Sequence, residues 1–153
     1  MDADDGFVGL NEQLCFAVYA AAHAFNAAYR PLLEPHGLTY PQFLVLLVLW
    51  EKDQRSMKEL GGLLQLDSGT LTPLTKRLES AGFLRRQRAR HDERQLLVEL
   101  TEKGQALRPF VGEICKAMIC ALGGRDEPVL KLREQIVKVT EQLRSAPHLQ
   151  AVE

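Results

Sequence analysis

Three cysteines, Cys15, Cys115 and Cys120, and a run of basic residues between Lys76 and Arg94 are the groups in this 153-residue chain whose types and spacing could do chemistry. Cys15 lies about one turn beyond Asn11, a residue able to cap a helix, and there the helix dipole and free amides favour a thiolate. A thiolate so placed is a reactive sulfur, although a cysteine among alanines and aromatics also serves as an inert small hydrophobe. For the other two, about 100° per residue from Leu107 puts Val111, Ile114, Met118 and Leu122 on one apolar stripe. Cys115 projects at about 80°, along the edge of that stripe, and Cys120 at about 220°, on the side of Glu113 and Lys116. Cys115 reads as structural and Cys120 as available. A second thiol reacting with an oxidised Cys15 is therefore expected to be Cys120, with Cys115 the lesser alternative.

The basic run has a different chemistry. Lys76, Arg77, Arg85, Arg86, Arg88, Arg90 and Arg94 stand against Glu79, Asp92 and Glu93, in a chain whose net charge is only −1. Such a local excess suits phosphate contact with release of counterions, while the acidic remainder limits indiscriminate binding. A solvated charged hairpin with no partner has the same composition. The order of the surrounding elements decides against it.

Those elements announce themselves through their ends. Ser56 and Glu59 form a capping box ahead of Leu60, Leu63 and Leu64, which predicts a helix from about Met57. Asp67 can cap a second helix carrying Leu71 and Leu78, with Gly82 supplying a left-handed stop near Ala81. Residues 84–88 and 95–100 then read as the strands of a hairpin whose charged tip is RARHDER. Helix, helix and basic hairpin outline a winged helix-turn-helix. Pro73 is inconsistent with a simple second helix, because it lacks an amide donor and crowds the carbonyl of Gly69. Either the helix bends there, or Thr72 is its true cap and Pro73 its first residue.

Outside this head, Asn11 is expected to cap a helix running to about Leu33. It is apolar or alanine at nearly every position from Leu14 to Ala28, and so is expected to be buried on all sides. Thr39 and Gln42 make another capping box, and Thr101 and Asp126 can start two more helices, the last carrying Leu132, Ile136, Val139 and Leu143 on one stripe. These terminal helices hold more apolar surface than one subunit can bury, so a symmetric homodimer is expected, with two heads matching a pseudo-palindromic site. The predicted fold is mainly α with a small β-hairpin wing: one domain over residues 1–153, with a winged head at 38–100 and a helical dimerisation region at 8–35 and 101–146.

Composition sets the limits. With 46% apolar and 25% charged residues the chain suffices for one sizeable core. It holds no uncharged apolar run of membrane-spanning length, and the acidic start MDADDG is unlike a signal peptide, so a cytoplasmic protein without a membrane partner is expected. An odd number of cysteines without an export signal argues for reduced thiols. His23, His36, His91 and His148 lack paired ligand spacing, so neither metal nor cofactor is expected.

The segments QLCFAVY around Cys15, AAYRPLL around Tyr29, LTYPQFLVLLVLWE at 38–51, LDSGTLTPLTKRLESAGFLRR at 66–86 and DERQLLVELTEKG at 92–104 resemble the MarR family of winged-helix repressors, over roughly residues 10–145. Cys15 with Tyr29 and Tyr40 at these separations resembles, within it, the organic hydroperoxide resistance regulators, and Cys120, just before the last helix, corresponds in position to the second cysteine of their two-cysteine type. The resemblance implies a reduced dimer on double-stranded operator DNA, with the Cys15 thiolate held by the hydroxyls of Tyr29 and Tyr40. Tyr29 shares a helix face with Cys15 but stands some 21 Å along the axis, so it reaches Cys15 only from a partner chain. The resemblance further implies that an organic hydroperoxide oxidises Cys15 to a sulfenic acid, which condenses with Cys120 of the partner and releases the DNA. Its DNA-contacting residues are Ser68, Thr70, Thr72, Lys76 and Arg77 on the reading helix, and Arg86, Arg88, Arg90 and Arg94 near or on the wing. Asp92 is expected to orient Arg94. Competing readings are a MarR-type repressor released by a small phenolic ligand with the cysteines incidental, a thiol peroxidase using Cys15 and Cys120, and a winged helix used only for protein contact.

Overall fold

The computed structural model describes residues 6–90, 92–124 and 127–146; His91, Asp126 and His148 fall outside them. Within the described residues lie helices α1 (Leu14–Leu33), α2 (Tyr40–Glu51), α3 (Met57–Leu64), α4 (Ser68–Ser80), α5 (Glu102–Ala106), α6 (Arg108–Ala121) and α7 (Glu127–Ser145). Strands β1 (Arg55–Ser56), β2 (Leu84–Ala89) and β3 (Asp92–Leu100) form one antiparallel sheet in the order β1-β3-β2. The chain divides into two compact units, residues 1–114 and 115–153, the division falling within α6.

The ends of the head's helices are set by the residues that cap them. The Ser56 amide donates to Glu59 Oε2 at 2.8 Å and the Glu59 amide to Ser56 Oγ at 3.1 Å, so the capping box at the start of α3 is complete in both directions. Gln65, in the left-handed region at φ 58°, ends that helix, and its neighbour Leu66 donates back to the Gly61 carbonyl. Asp67 Oδ1 accepts from the Thr70 amide at 2.8 Å and starts α4 at Ser68. Gly82, at φ 80°, provides the stop past Ala81. Before α2 the Thr39 amide donates to Gln42 Oε1 at 2.9 Å.

The first helix begins differently from expectation. Asn11 lies in a separate 3-10 turn, Leu10–Glu12, and α1 starts at Leu14 after Gln13, which makes no side-chain cap bond. The competition was local: an Asn caps only when the residues after it turn α-helically, and the extended backbone of Gln13 interrupts them. Nor does the chain bury α1 on all sides. Leu33 is buried, whereas Leu14, Val18, Tyr19 and Phe25 stay exposed.

α4 continues through Pro73 rather than starting at Thr72. The missing amide leaves the Gly69 carbonyl without its helical donor, at a cost of up to about 3 kcal/mol for a proline in a helix interior. Both Gly69 and Pro73 are exposed, so the orphaned carbonyl faces solvent instead of the core. Thr75, fully buried on the opposite side, donates its hydroxyl back to the Leu71 and Thr72 carbonyls. The helix expected from Thr101 is broken at Leu107. Thr101 Oγ1 does cap α5, accepting from the Gly104 amide at 3.1 Å, but Pro109 in the first turn of α6 has no amide to continue it.

The core of the first unit collects Phe43, Val45, Leu46, Leu49 and Trp50 of α2 against Leu60, Leu71, Leu78, Phe83, Leu84 and Val98. Each leucine removed from water here contributes about 1.5–3 kcal/mol. Trp50 donates Nε1–H to the Gly104 carbonyl at 3.0 Å. Gly104 itself admits no side chain, since a Cβ would lie 2.1 Å from the Phe83 carbonyl oxygen. The hairpin is longer than expected: Ala89 belongs to β2 and Asp92 and Arg94 to β3, and the register shifts between Arg88, which pairs with Leu96, and Ala89, which pairs with Asp92. β1 has no counterpart in the sequence reading, being two residues that pair with Leu97 and Val98.

Candidate thiol site and nucleic-acid interface

Because α1 starts at Leu14, Cys15 is its second residue and lies in the turn whose amides have no helical acceptor. The side chain is exposed, and its Sγ–H donates to Gln13 Oε1 at 3.3 Å. Gln13 is fixed in turn, donating Nε2–H to the Val8 carbonyl at 2.9 Å. Tyr29 lies on the same unbroken helix, fourteen residues and so about 21 Å further along it. Its ring stacks on that of Tyr40, with centroids 4.3 Å apart and planes 27° from parallel, and tilts against Phe43 at 5.9 Å. Burial pushes the Tyr40 phenol up from its ordinary value of 10.0, so it remains a hydrogen-bond donor throughout the neutral range. The two phenols are thus brought together, and Cys15 is held apart from Tyr29 by the length of α1.

On α6, Cys115 is half-buried and Cys120 exposed. Five helical residues separate them, about 7.5 Å along the axis and about 140° around it, which is too far for a disulfide between the two.

The second candidate surface is formed by α4 and the hairpin. Ser68, Thr70, Lys76 and Arg77 are exposed and Thr72 half-buried, while Leu71, Thr75 and Leu78 face the core. Arg88, Arg90 and Arg94 are exposed toward the end of the hairpin. Asp92 Oδ1 accepts from the backbone amide of Arg94 at 3.0 Å, so it fixes that residue through the main chain. Arg86 stands apart from the set in which the sequence reading placed it. Its Nε and NH2 groups donate to Glu79 Oε2 at 2.8 and 2.6 Å, and its amide to Glu79 Oε1 at 3.0 Å. That guanidinium, with a side chain only 20% exposed, ties the edge strand β2 to α4. Arg86 holds Glu79 well below the usual carboxylate value, chiefly through the side-chain hydrogen bond. Arg85 is paired as well, with the buried Glu99, which also accepts from Gln54 Nε2 at 3.1 Å.

Residues 27–108 match the family model described as transcriptional regulator SarA/Rot. The organic hydroperoxide resistance transcriptional regulator of Bacillus subtilis (strain 168) is 39% identical over 134 residues, 88% of this chain and 91% of that protein. The chain belongs to the SarA/Rot/MarR-type family of winged-helix transcriptional regulators. A further relative, the HTH-type transcriptional regulator TtmR of Methylorubrum extorquens (strain PA1), is 66% identical over 99 residues, 65% of this chain, and the match spans 51% of that relative's length. Reduced AbfR bound to DNA superposes with a TM-score of 0.78 at 34% identity, covering 89% of this chain and 95% of the other. AbfR in its disulfide form superposes at 0.62 and 37% identity, covering 86% and 91%.

In this winged-helix fold the setting of α4 against the β2–β3 hairpin depends on residues for which the sequence analysis expects no such role. Glu79 is in the sequence an opposing charge among the basic residues, but its place as the last-but-one residue of α4, seven residues before Arg86, is the signal for a bridge across the turn. The TEKG segment fastens the C-terminal end of α4. Thr101 Oγ1–H donates to the Gly82 carbonyl at 2.5 Å, and Lys103 Nζ–H to the Ala81 carbonyl at 2.7 Å while lying 4.4 Å above the Phe83 ring. Gln13 enters the sequence analysis only as the first residue of QLCFAVY, with no role of its own. Among the described residues no three His, Cys, Asp or Glu side chains gather to hold a metal ion, and no single helix is long and apolar enough to cross a membrane.

Proposed function

We propose that this regulator is a homodimeric repressor that leaves a pseudo-palindromic operator when an organic hydroperoxide oxidises Cys15. One observation carries the reading: an exposed thiol at the amide end of α1 and a stacked pair of phenols lie one helix length apart in the same chain. Only a second copy, laid antiparallel against the exposed apolar face of α1, supplies Tyr29 and Tyr40 to Cys15. The thiolate attacks the outer oxygen of the hydroperoxide, the O–O bond breaks, and Cys15 sulfenic acid and an alcohol form. Cys120 of the partner then attacks that sulfur, giving an intersubunit disulfide and water. Contact with DNA falls to Ser68, Thr70, Thr72, Lys76 and Arg77 in the major groove and to Arg88, Arg90 and Arg94 on the wing, where an arginine suits a narrow minor groove. Arg86 sets the wing and Asp92 sets Arg94.

A duplex-binding assay with cumene hydroperoxide and then dithiothreitol, beside a non-reducing gel, tests the scheme. Expected is reversible loss of binding together with a dimer-sized band, both absent in Cys15→Ser, the band absent in Cys120→Ser, and both kept in Cys115→Ser. Release of DNA from Cys15→Ser by peroxide refutes it. A cleft of about 460 Å³ beside Tyr40, lined by Asn26, Arg30, Thr39 and Pro41, supports a second reading in which a small phenolic ligand causes release. Release of Cys15→Ser by such a ligand favours that reading.

A further inference from the structure

Pro73 is the residue of α4 that the core does not explain and the proposed contacts do not use. With Ser68 as zero and about 100° per residue, Leu71, Leu74, Thr75 and Leu78 point at about 240–340°, toward the rest of the head. Pro73 points at about 140°, between Lys76 at about 80° and Arg77 at about 180°, and Gly69 lies beside it at about 100°. The ring therefore projects from the middle of the outward face, flanked by two cations and by a residue with no side chain to screen it. It is exposed, and α4 runs through it.

We propose that Pro73 reads a base: its ring packs on the 5-methyl group of a thymine when α4 enters the major groove. This rests on α4 being the groove-facing helix. The pyrrolidine ring offers no donor and no acceptor, so it cannot bond to a phosphate or a polar base edge. In the major groove the one apolar group that a base pair presents is the thymine methyl. Lys76 and Arg77 on either side reach for phosphates and set the depth at which the ring stands. Pro73 lies in the second turn of the helix, within the N-terminal part that contacts base edges in helix-turn-helix proteins. A ring locked in place loses no rotamer freedom on binding.

The test starts from a duplex that the full-length protein selects from a random library, followed by replacement of each thymine in turn by deoxyuridine, which removes only the methyl. For the wild type, one thymine in each half-site is expected to give about a fourfold loss on replacement, the worth of one methyl taken out of water. Pro73→Ala is expected to bind the original duplex about fourfold more weakly, to be indifferent to that replacement, and to melt at a higher temperature because the Gly69 carbonyl regains a donor. A wild type indifferent to every deoxyuridine, or a Pro73→Ala protein with the same thymine dependence as the wild type, overturns the assignment. Selection of no duplex sequence overturns it together with the reading of α4, whereas a selected site without the methyl effect overturns Pro73 alone.

Discussion

Removing the Glu79 carboxylate separates two accounts of the basic head. The carboxylate accepts three hydrogen bonds from Arg86, at 3.0, 2.8 and 2.6 Å, with side-chain exposures of 34% for Glu79 and 20% for Arg86. A shielded charge-assisted bond contributes about 1.5–3 kcal/mol and an exposed ion pair about 1 kcal/mol or less. With Glu79 a third exposed, solvent screening brings the side-chain pair toward the lower figure, and the edge amide of Arg86 left without an acceptor adds about 1 kcal/mol. Glu79→Ala is therefore expected to destabilise by about 2 kcal/mol, read as a lower urea midpoint with an unchanged slope. The effect on DNA has an opposite sign in the two accounts. If only the charge of this face mattered, deleting a carboxylate and releasing Arg86 would tighten binding. If the bridge fixes the angle between reading helix and wing, binding weakens by about fivefold or more, because phosphate and groove contacts no longer form together. Glu79→Gln, which keeps an acceptor for the Arg86 amide, falls between wild type and Glu79→Ala in both assays. Tighter binding by either variant, or an unchanged midpoint in Glu79→Ala, refutes the positioning role.

Other expectations are more local. Glu59, Asp67 and Glu79 are all held below their ordinary values, Glu59 and Asp67 mainly by backbone amides at helix starts and Glu79 by Arg86. A lowered folded value means stability that is present above the unfolded value and lost as pH falls through the folded one. Unfolding free energy should thus decline below about pH 4.5, and less steeply in Glu79→Gln. Gly104→Ala drives a methyl into the Phe83 carbonyl and pulls at the Trp50 bond, so a loss of about 3 kcal/mol or more in urea unfolding is expected. Tyr40→Phe keeps the stack on Tyr29 but removes a donor, and should slow oxidation of Cys15 by peroxide, followed by mass spectrometry, while leaving the melting temperature within about 2 °C.

Much of the head was legible in order and extent because its boundaries are local. Ser56 with Glu59, Asp67, Gly82 and Thr101 act on amides or backbone angles within a few residues, so their types at those spacings set where α3, α4 and α5 begin or end. Asn11 failed by the same logic, since a cap depends on the conformation of its neighbours and Gln13 is extended. Periodicity also placed Cys115 and Cys120 on different sides of α6, as their burial shows.

What the sequence determined by itself was the set of chemically able residues and the helices that carry them. The tertiary structure alone decided which of them meet. The stacking of Tyr29 on Tyr40, the withdrawal of Arg86 by Glu79, the pairing of Arg85 with a buried Glu99 and the two-residue β1 all join residues whose nearness depends on how elements pack. A helix records its own ends and faces in its spacing. The partner that a side chain finds across a turn or on another element is fixed only when the core between them closes, and that closure tied Arg86 of β2 to Glu79 of α4 and left Pro73 exposed on α4.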